Sequence, residues 1–374
     1  MAKQELGAGV ERGAPTPFSL GVGEDLLTVD PHRLRLVDLP PGRFPQQQPH
    51  GERREPLALS TVELTTPALA HAGDAHETLT GLRQRLTAAD ITVLGAGLHP
   101  DGAFGEVTHP HEGFYSGVAE DCGGVLDRTP TCGIQVRVGM PDHAIAVHAL
   151  NGMRRWVPPL LALSASSPFW HGRDAGLASA RGALRRSCPR SGVPRPFRDY
   201  DDYLATVAEV EAAGALPDPA WIWWDLRIDP RHGTLEVRAS DAQSSLRDLT
   251  GIVALTHCLA IDAATHPPIE QTAPEALDQC CFRAIRHGSD AVLHFDGRMQ
   301  PFAEVVEQAL ACARPYAADL GCQDELDEVR RLLTDGTSAD RQRTVHASSG
   351  LDGLLTTLCA ETQPGHALPD LARL

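Results

Sequence analysis

The chain has 374 residues, 42% of them hydrophobic and 22% charged, a profile that suits a globular protein with a substantial core. Its net charge of −16 argues against nucleic acid or an anionic membrane as the main partner, because phosphate groups bind basic surface. Nine scattered cysteines without a CxxC pair exclude a zinc ribbon or a disulfide scaffold and point to a reducing compartment.

The N-terminal stretch Met1 to Pro17 reads as a flexible tail. It lacks the basic start and apolar stretch of a signal peptide, and no apolar run is expected to span a bilayer, so a cytoplasmic location is expected. Lys3, in this tail, is the only lysine. A P-loop and a pyridoxal enzyme each need a lysine in the folded body, so both are excluded. Any phosphate handled here falls to arginine, metal ions or backbone amides.

Leu20 to Val29 reads as a strand, ended by Asp30-Pro31. Pro40 to Pro56 reads as a long loop, Ser60 to Thr66 as an alternating strand, His76 to Ala88 as a helix and Ile91 to Leu94 as a strand. Pro100 to Tyr115 is loop-like, and Thr131 to Val138 alternates as a strand. Asp142 is placed to cap a helix that carries Ala144, Val147, Leu150 and Met153 on one face. Pro158-Pro159 must kink or restart it before Leu160 to Leu163. A helix follows over Asp199 to Ala213, then a strand pair, Trp221 to Arg227 and Thr234 to Ser240. Helices are predicted over Leu249 to Ala264, Pro274 to His287, Ala303 to Leu320 and Glu325 to Leu333. Early strands followed by helices favour an α+β fold over βαβ units. No repeat or clean linker divides residues 18–374, so one catalytic domain is expected.

Acidic side chains interrupt apolar strands at Glu24, Asp25, Glu63 and Glu236. Such groups are costly unless paired or bound to metal, and several on one sheet face would suit Mg²⁺. They could equally be exposed charge on half-buried strands. By alternation, Asp25 shares a face with Gly21 and Gly23, whereas Glu24 lies with Val22 and Leu26. Gln135 shares a face with Arg137, and Glu236 with Arg238. Arg173-Asp174 and Arg181 could clamp an anion or form surface ion pairs. The histidines His99, His109 and His111 share a loop without an element to fix metal geometry. Gly95-Ala96-Gly97 fails as a dinucleotide fingerprint because Pro100 takes the third glycine's place.

These segments together resemble the type 2 glutamate–cysteine ligase-like carboxylate–amine ligases, relatives of glutamine synthetase. The resemblance is carried by Val62-Glu63-Leu64-Thr65-Thr66-Pro67, the run Leu161 to Trp170 that contains SASSPFW, and Gly172-Arg173-Asp174. Ile222 to Arg227, Thr234 to Arg238, Arg283 to Gly288 and Ala339 to Gln342 continue it. It implies an α+β fold, a curved antiparallel sheet lined by the active site with helices packed outside. It implies ATP and Mg²⁺, an acyl phosphate of glutamate's γ-carboxylate, and attack by an amino acid or another amine. It leaves room for a homo-oligomer.

By position, Asp25, Glu63 and Glu236 would be metal ligands, and Arg238 and Arg173 catalytic groups. Arg137, Gln135, Arg181, Trp224 and Tyr115 would bind substrate or ATP. The family's first strand usually reads Gly-x-Glu-x-Glu, where this chain has Gly23 and Asp25. A later strand usually reads His-Val-His-Val, where it has Gln135-Val136-Arg137-Val138. Phe114 stands where many relatives have an arginine. Two readings follow. In one, the chain is an active ligase with a rearranged site, as Glu63, Glu236, Arg238 and Arg173 suggest. In the other, marked by Gly23, Gln135 and Arg137, ligase activity is lost, and the protein is a binding or regulatory partner or catalyses another reaction.

Overall fold

The computed structural model describes residues 16–40, 43, 57–110, 116–214, 222–267 and 271–365. Its centre is a six-stranded sheet made of β1 (Leu20–Thr28), β2 (Thr61–Thr65), β3 (Val93–Leu94), β4 (Ile134–Gly139), β5 (Leu226–Asp229) and β6 (Thr234–Val237). The order is β2-β1-β4-β6-β5, with β3 also on β1, and every pairing is antiparallel. Strand alternation sends Leu20, Val22, Ile134, Val136, Val138, Leu226, Ile228, Leu235 and Val237 to one face, where all are buried in a single apolar core. Helices Ala75–Ala88, His143–Met153 and Leu246–Thr265 help to build that core. The fold is therefore α+β, as expected.

Leu246–Thr265 has 20 residues, and Ser245 caps it by accepting from the Asp248 N–H. It is long and apolar enough to cross a bilayer by length and composition, contrary to the sequence reading, because nearly its whole surface is buried in the core. The proline pair restarts a helix: Val157–Leu163 follows a 3₁₀ turn, with proline in its first turn, where no N–H is missed. Helix Phe302–Ala313 stops earlier than predicted, and a 3₁₀ turn containing Pro315 follows it. One long helix was not foreseen. Ser338–Thr362 starts at a Thr337/Asp340 capping box and bends at Gly350, whose φ of 68° is non-helical. Its last turns place Leu354, Leu355, Leu358 and Cys359 against Leu27 and Leu94.

Glu24 points to the helix side, as the alternation required. Arg83 grips it with Nε to Oε1 at 3.1 Å and a terminal nitrogen to Oε2 at 2.7 Å. The same guanidinium donates to the carbonyls of Gln243, Ser244 and Thr362. This pair is fully buried and ties β1 to helix Ala75–Ala88 and to the end of helix Ser338–Thr362. Removing one partner of such a pair costs about 3–5 kcal/mol. Glu24 is thus a structural carboxylate.

Candidate active site

The opposite sheet face carries the polar residues. Asp25 stands opposite Glu63 across β1 and β2. Gly23 stands opposite Gln135, Gly21 opposite Arg137, Arg137 opposite Glu236, and Glu236 opposite Arg227. Directly opposed residues lie within side-chain reach, so these positions form one continuous polar strip.

The strip has two different ends. At one end, Arg137 donates from Nε to Glu236 Oε1 at 3.0 Å and from a terminal nitrogen to Gln135 Oε1 at 2.7 Å. That nitrogen is 3.7 Å from Glu63 Oε1. Arg227 donates twice to the other oxygen of Glu236, at 2.9 and 2.5 Å. Burial opposes the charge of Glu236, but Arg227, Arg137 and Arg238 outweigh it and hold the carboxyl well below its ordinary range. Burial likewise opposes the charge of Arg137, and Glu236 and Glu63 outweigh it and push the guanidinium further up.

At the other end, Asp25 is pushed up to about 7, chiefly by burial and then by the charge of Glu63, with Arg181 and Arg238 opposing. The Gly133 N–H is 3.4 Å from its Oδ2. Gly133 also lets the chain close on Arg181, since a side-chain carbon there would fall 2.0 Å from an Arg181 nitrogen.

Asp25, Glu63 and Gln135 form part of the wall of a cavity of about 140 Å³. Five arginines, Arg128, Arg181, Arg185, Arg227 and Arg238, share its polar lining with His109, Thr61, Thr129 and Thr131, and Leu57, Val107, Leu126 and Trp223 give it an apolar cover. Burial, then Arg181, push Arg185 down to about 10. The Nε atoms of Arg181 and Arg185 are buried and make no hydrogen bond. Buried donors of that kind carry a desolvation cost that an anionic oxygen would offset. A carboxylate pair faces a cluster of guanidiniums, a division of charge suited to a cation and a phosphoryl or carboxylate group.

The resemblance motifs supply the frame of this site. Asp241 accepts from the Ser166 N–H at 3.0 Å, Ser167 Oγ at 2.7 Å, Ser179 Oγ at 2.9 Å and Arg181 at 3.4 Å. Gln342 donates to the Ser166 carbonyl, and Ser166 meets Ser338. The SASSPFW run therefore positions Arg181 through Asp241 and anchors the C-terminal helix.

Of the residues predicted from the sequence, Asp25, Glu63, Gln135, Arg181 and Arg238 meet at the cavity. Arg137 and Glu236 lie beside it on the strip. Arg173 does not join them: it is exposed at the Phe169–Trp170/Arg173–Asp174 hairpin. Trp224 packs near Phe197 and Tyr203, and its neighbour Trp223 lines the cavity instead. Tyr115, Phe114 and His111 lie outside the described residues.

The two described histidines of that loop, His99 and His109, are each held by the frame. Buried His99 bonds the Leu34 carbonyl, and His109 bonds the Leu57 carbonyl and Asp127. Among the described residues no group of three or more His, Cys, Asp or Glu side chains is placed to hold a metal. The proposed trio of carboxylates is divided by Arg137. A divalent ion about 4 Å from that guanidinium would meet roughly 8 kcal/mol of repulsion at an effective dielectric of about 20. Asp25 and Glu63 fit a hard cation, because they are a like-charged pair whose mutual repulsion it would relieve. Glu236 does not fit one, since both its oxygens are taken by guanidiniums. Sequence reasoning missed Arg185, Arg128, Arg227 and Asp241. The Arg185-Arg186 pair after a serine-capped turn was the available signal for the first.

The family model described as glutamate-cysteine ligase family 2 matches residues 35–360. A Rubrobacter xylanophilus protein provisionally named glutamate–cysteine ligase 2-3 is 33% identical over 347 residues, which are 90% of this chain and 95% of that one. The glutamate–cysteine ligase of Haloferax volcanii is 31% identical over 347 residues, which are 90% and 94% of the two chains. Among solved structures, the glutamate–cysteine ligase of Francisella tularensis, in complex with AMP, is similar with a TM-score of 0.67 at 12% identity, covering 96% of this chain and 92% of that one. The bifunctional glutathione synthetase of Pasteurella multocida gives a TM-score of 0.70 at 15% identity over 92% of this chain, which spans about half of that protein, 52%.

Proposed function

The chain belongs to glutamate–cysteine ligase family 2 and is an ATP-dependent ligase, and from that premise we propose that it forms an amide from glutamate's γ-carboxylate and an amino acid or other amine. The observation that carries this reading is the cavity of about 140 Å³, where Asp25 and Glu63 face five arginines. That volume holds a reacting group or an amino-acid side chain; ligand pockets of roughly 300–1,000 Å³ are needed for larger molecules, so ATP extends beyond it.

The reaction divides into two displacements. A carboxylate oxygen of the acid attacks the γ-phosphorus of ATP, and ADP leaves with the bond electrons. The amine nitrogen then attacks the acyl carbon, and phosphate leaves. Arg181, Arg185 and Arg238 bind and orient the transferred phosphoryl group and stabilise its charge in a site with little water. The Nε of Arg181, which makes no hydrogen bond, gains an acceptor when that group arrives, and the Nε of Arg185, 3.8 Å from Asp225 Oδ1, gains a closer one. Asp25 and Glu63 would hold Mg²⁺, which supplies charge neutralisation for phosphate oxygens. Gln135 supports Arg137 and contributes to the cavity wall. Small-molecule substrates and a cytoplasmic location go with this reading.

The arginine lock on Glu236 favours a second reading, binding without turnover. The two are separated by incubating the protein with Mg²⁺, ATP, a panel of amino acids and hydroxylamine. Hydroxamate and ADP that both depend on one acid are expected, and they identify the acid. Nucleotide binding with neither product would overturn the ligase reading.

A further inference from the structure

Glu63 on β2 and Glu236 on β6 both border one guanidinium-sized gap, which is filled from a third strand, β4. Arg137 enters it and lies 3.0 Å from Glu236 and 3.7 Å from Glu63. Gly23, without a side chain, leaves it room. A side-chain carbon at Gly23 would lie 3.2 Å from the Arg137 Nη1, 3.4 Å from Glu63 Oε1 and 3.6 Å from the Gln135 Cβ. Gln135 holds the guanidinium in this place through its carbonyl oxygen. Two of the three guanidinium nitrogens face acceptors of the strip, and Nη1 is the one turned toward Gly23.

We propose that Arg137 is a resident cation: its guanidinium occupies the position between Glu63 and Glu236 and excludes a divalent metal ion from it. The site keeps its countercharge at that end without exchange with solvent. A guanidinium stays protonated at every working pH, so this charge neither dissociates nor titrates. A divalent ion and a guanidinium cannot share one gap between two carboxylates, whereas removal of the guanidinium leaves two bordering acids of the kind that bind hard cations. The inference deepens the ligase reading and rests on it only for the role of the site; the metal count stands on the side chains alone.

The test counts bound Mn²⁺ by electron paramagnetic resonance, without nucleotide and with a non-hydrolysable ATP analogue. The full-length parent is compared with Arg137→Gln, Arg137→Lys and the double variant Gly23→Glu/Arg137→Gln. Arg137→Gln and the double variant should each gain one Mn²⁺ per chain over the parent, and Arg137→Lys should gain none. Should Arg137→Gln lose its fold in metal-free buffer, thermal melting decides: recovery on adding Mn²⁺ supports the proposal, and no recovery overturns it. An unchanged count in both folded Gln variants overturns it, as does an equal gain in Arg137→Lys. A failed ligase assay beside a gained Mn²⁺ would leave this inference standing and remove only the catalytic reading.

Discussion

Asp25 and Glu236 are both acidic groups on the same face of one sheet, yet they stand in opposite electrostatic states. Two arginines take both oxygens of Glu236 and hold its charge. Asp25 has another acid, Glu63, opposite it, and burial with that charge raises its carboxyl to about 7. Glu24, next to Asp25 in sequence, repeats the Glu236 solution on the far face, with Arg83 as its partner. The difference teaches how to separate function from framework among buried acids. A carboxylate whose oxygens are saturated by fixed cations belongs to the frame, and one left in an unfavourable state is poised to take a ligand.

The largest effect that would break this comparison is on stability at the saturated end. Glu236→Ala strands Arg137 and Arg227 and should cost about 3–5 kcal/mol in chemical denaturation. A loss below about 1 kcal/mol would show that the network is not structural. The next effect is on activity at the other end. Asp25→Asn should lower hydroxamate formation at least about 100-fold while the protein stays folded, because the cation loses a charged ligand. Full activity in that variant would remove Asp25 from the site.

Acidity sharpens the contrast further. Cation binding must displace the proton from Asp25, so Mg²⁺ affinity should fall roughly tenfold per pH unit below about 7. Isothermal titration across pH 5.5 to 8.5 reads this directly, and a flat profile would contradict it. Stability without metal carries the opposite sign. The raised group binds more protons folded than unfolded between its ordinary value of 3.8 and about 7, so it costs stability as pH rises through that window. Asp25→Asn removes that cost and should raise Tm above pH 7.5 by a few degrees, with little change below pH 4. The smallest effect is at Arg173. It is exposed and apart from the cavity, so Arg173→Ala should change stability by less than about 0.5 kcal/mol and activity less than about twofold.

The sheet and its two faces were legible because strand alternation is a local property. Glu24 and Asp25 were assigned to opposite faces by counting alone, and they lie there. The helix Pro274–His287 matches the range read from the sequence, and it has proline in its first turn and Arg286 and His287 in its last. The long C-terminal helix was not legible, since Ser338–Thr362 has almost no amphipathic pattern and contains Gly350 and Gly353. The site was half legible. Acids in apolar strands stand out, so Asp25, Glu63 and Glu236 were singled out, and all three lie on the polar strip. What each acid does depends on which arginine reaches it, and Arg227 and Arg137 meet Glu236 only through strand register. Trp223 and Trp224 differ by one residue, and the turn of the strand beside Ser191–Gly192 decides which one faces the cavity.

The cavity end of the strip, with Asp25, Glu63 and the arginines around them, carries the proposed reaction, so the chemistry itself is the decisive observation. The acid that yields hydroxamate would be labelled with ¹⁸O in its reacting carboxylate and incubated with ATP, Mg²⁺ and hydroxylamine. Mass spectrometry of the released phosphate reads where the oxygen goes. An acyl phosphate predicts one ¹⁸O atom in each phosphate, because the carboxylate oxygen that attacked phosphorus departs with it. Unlabelled phosphate alongside product would contradict the account.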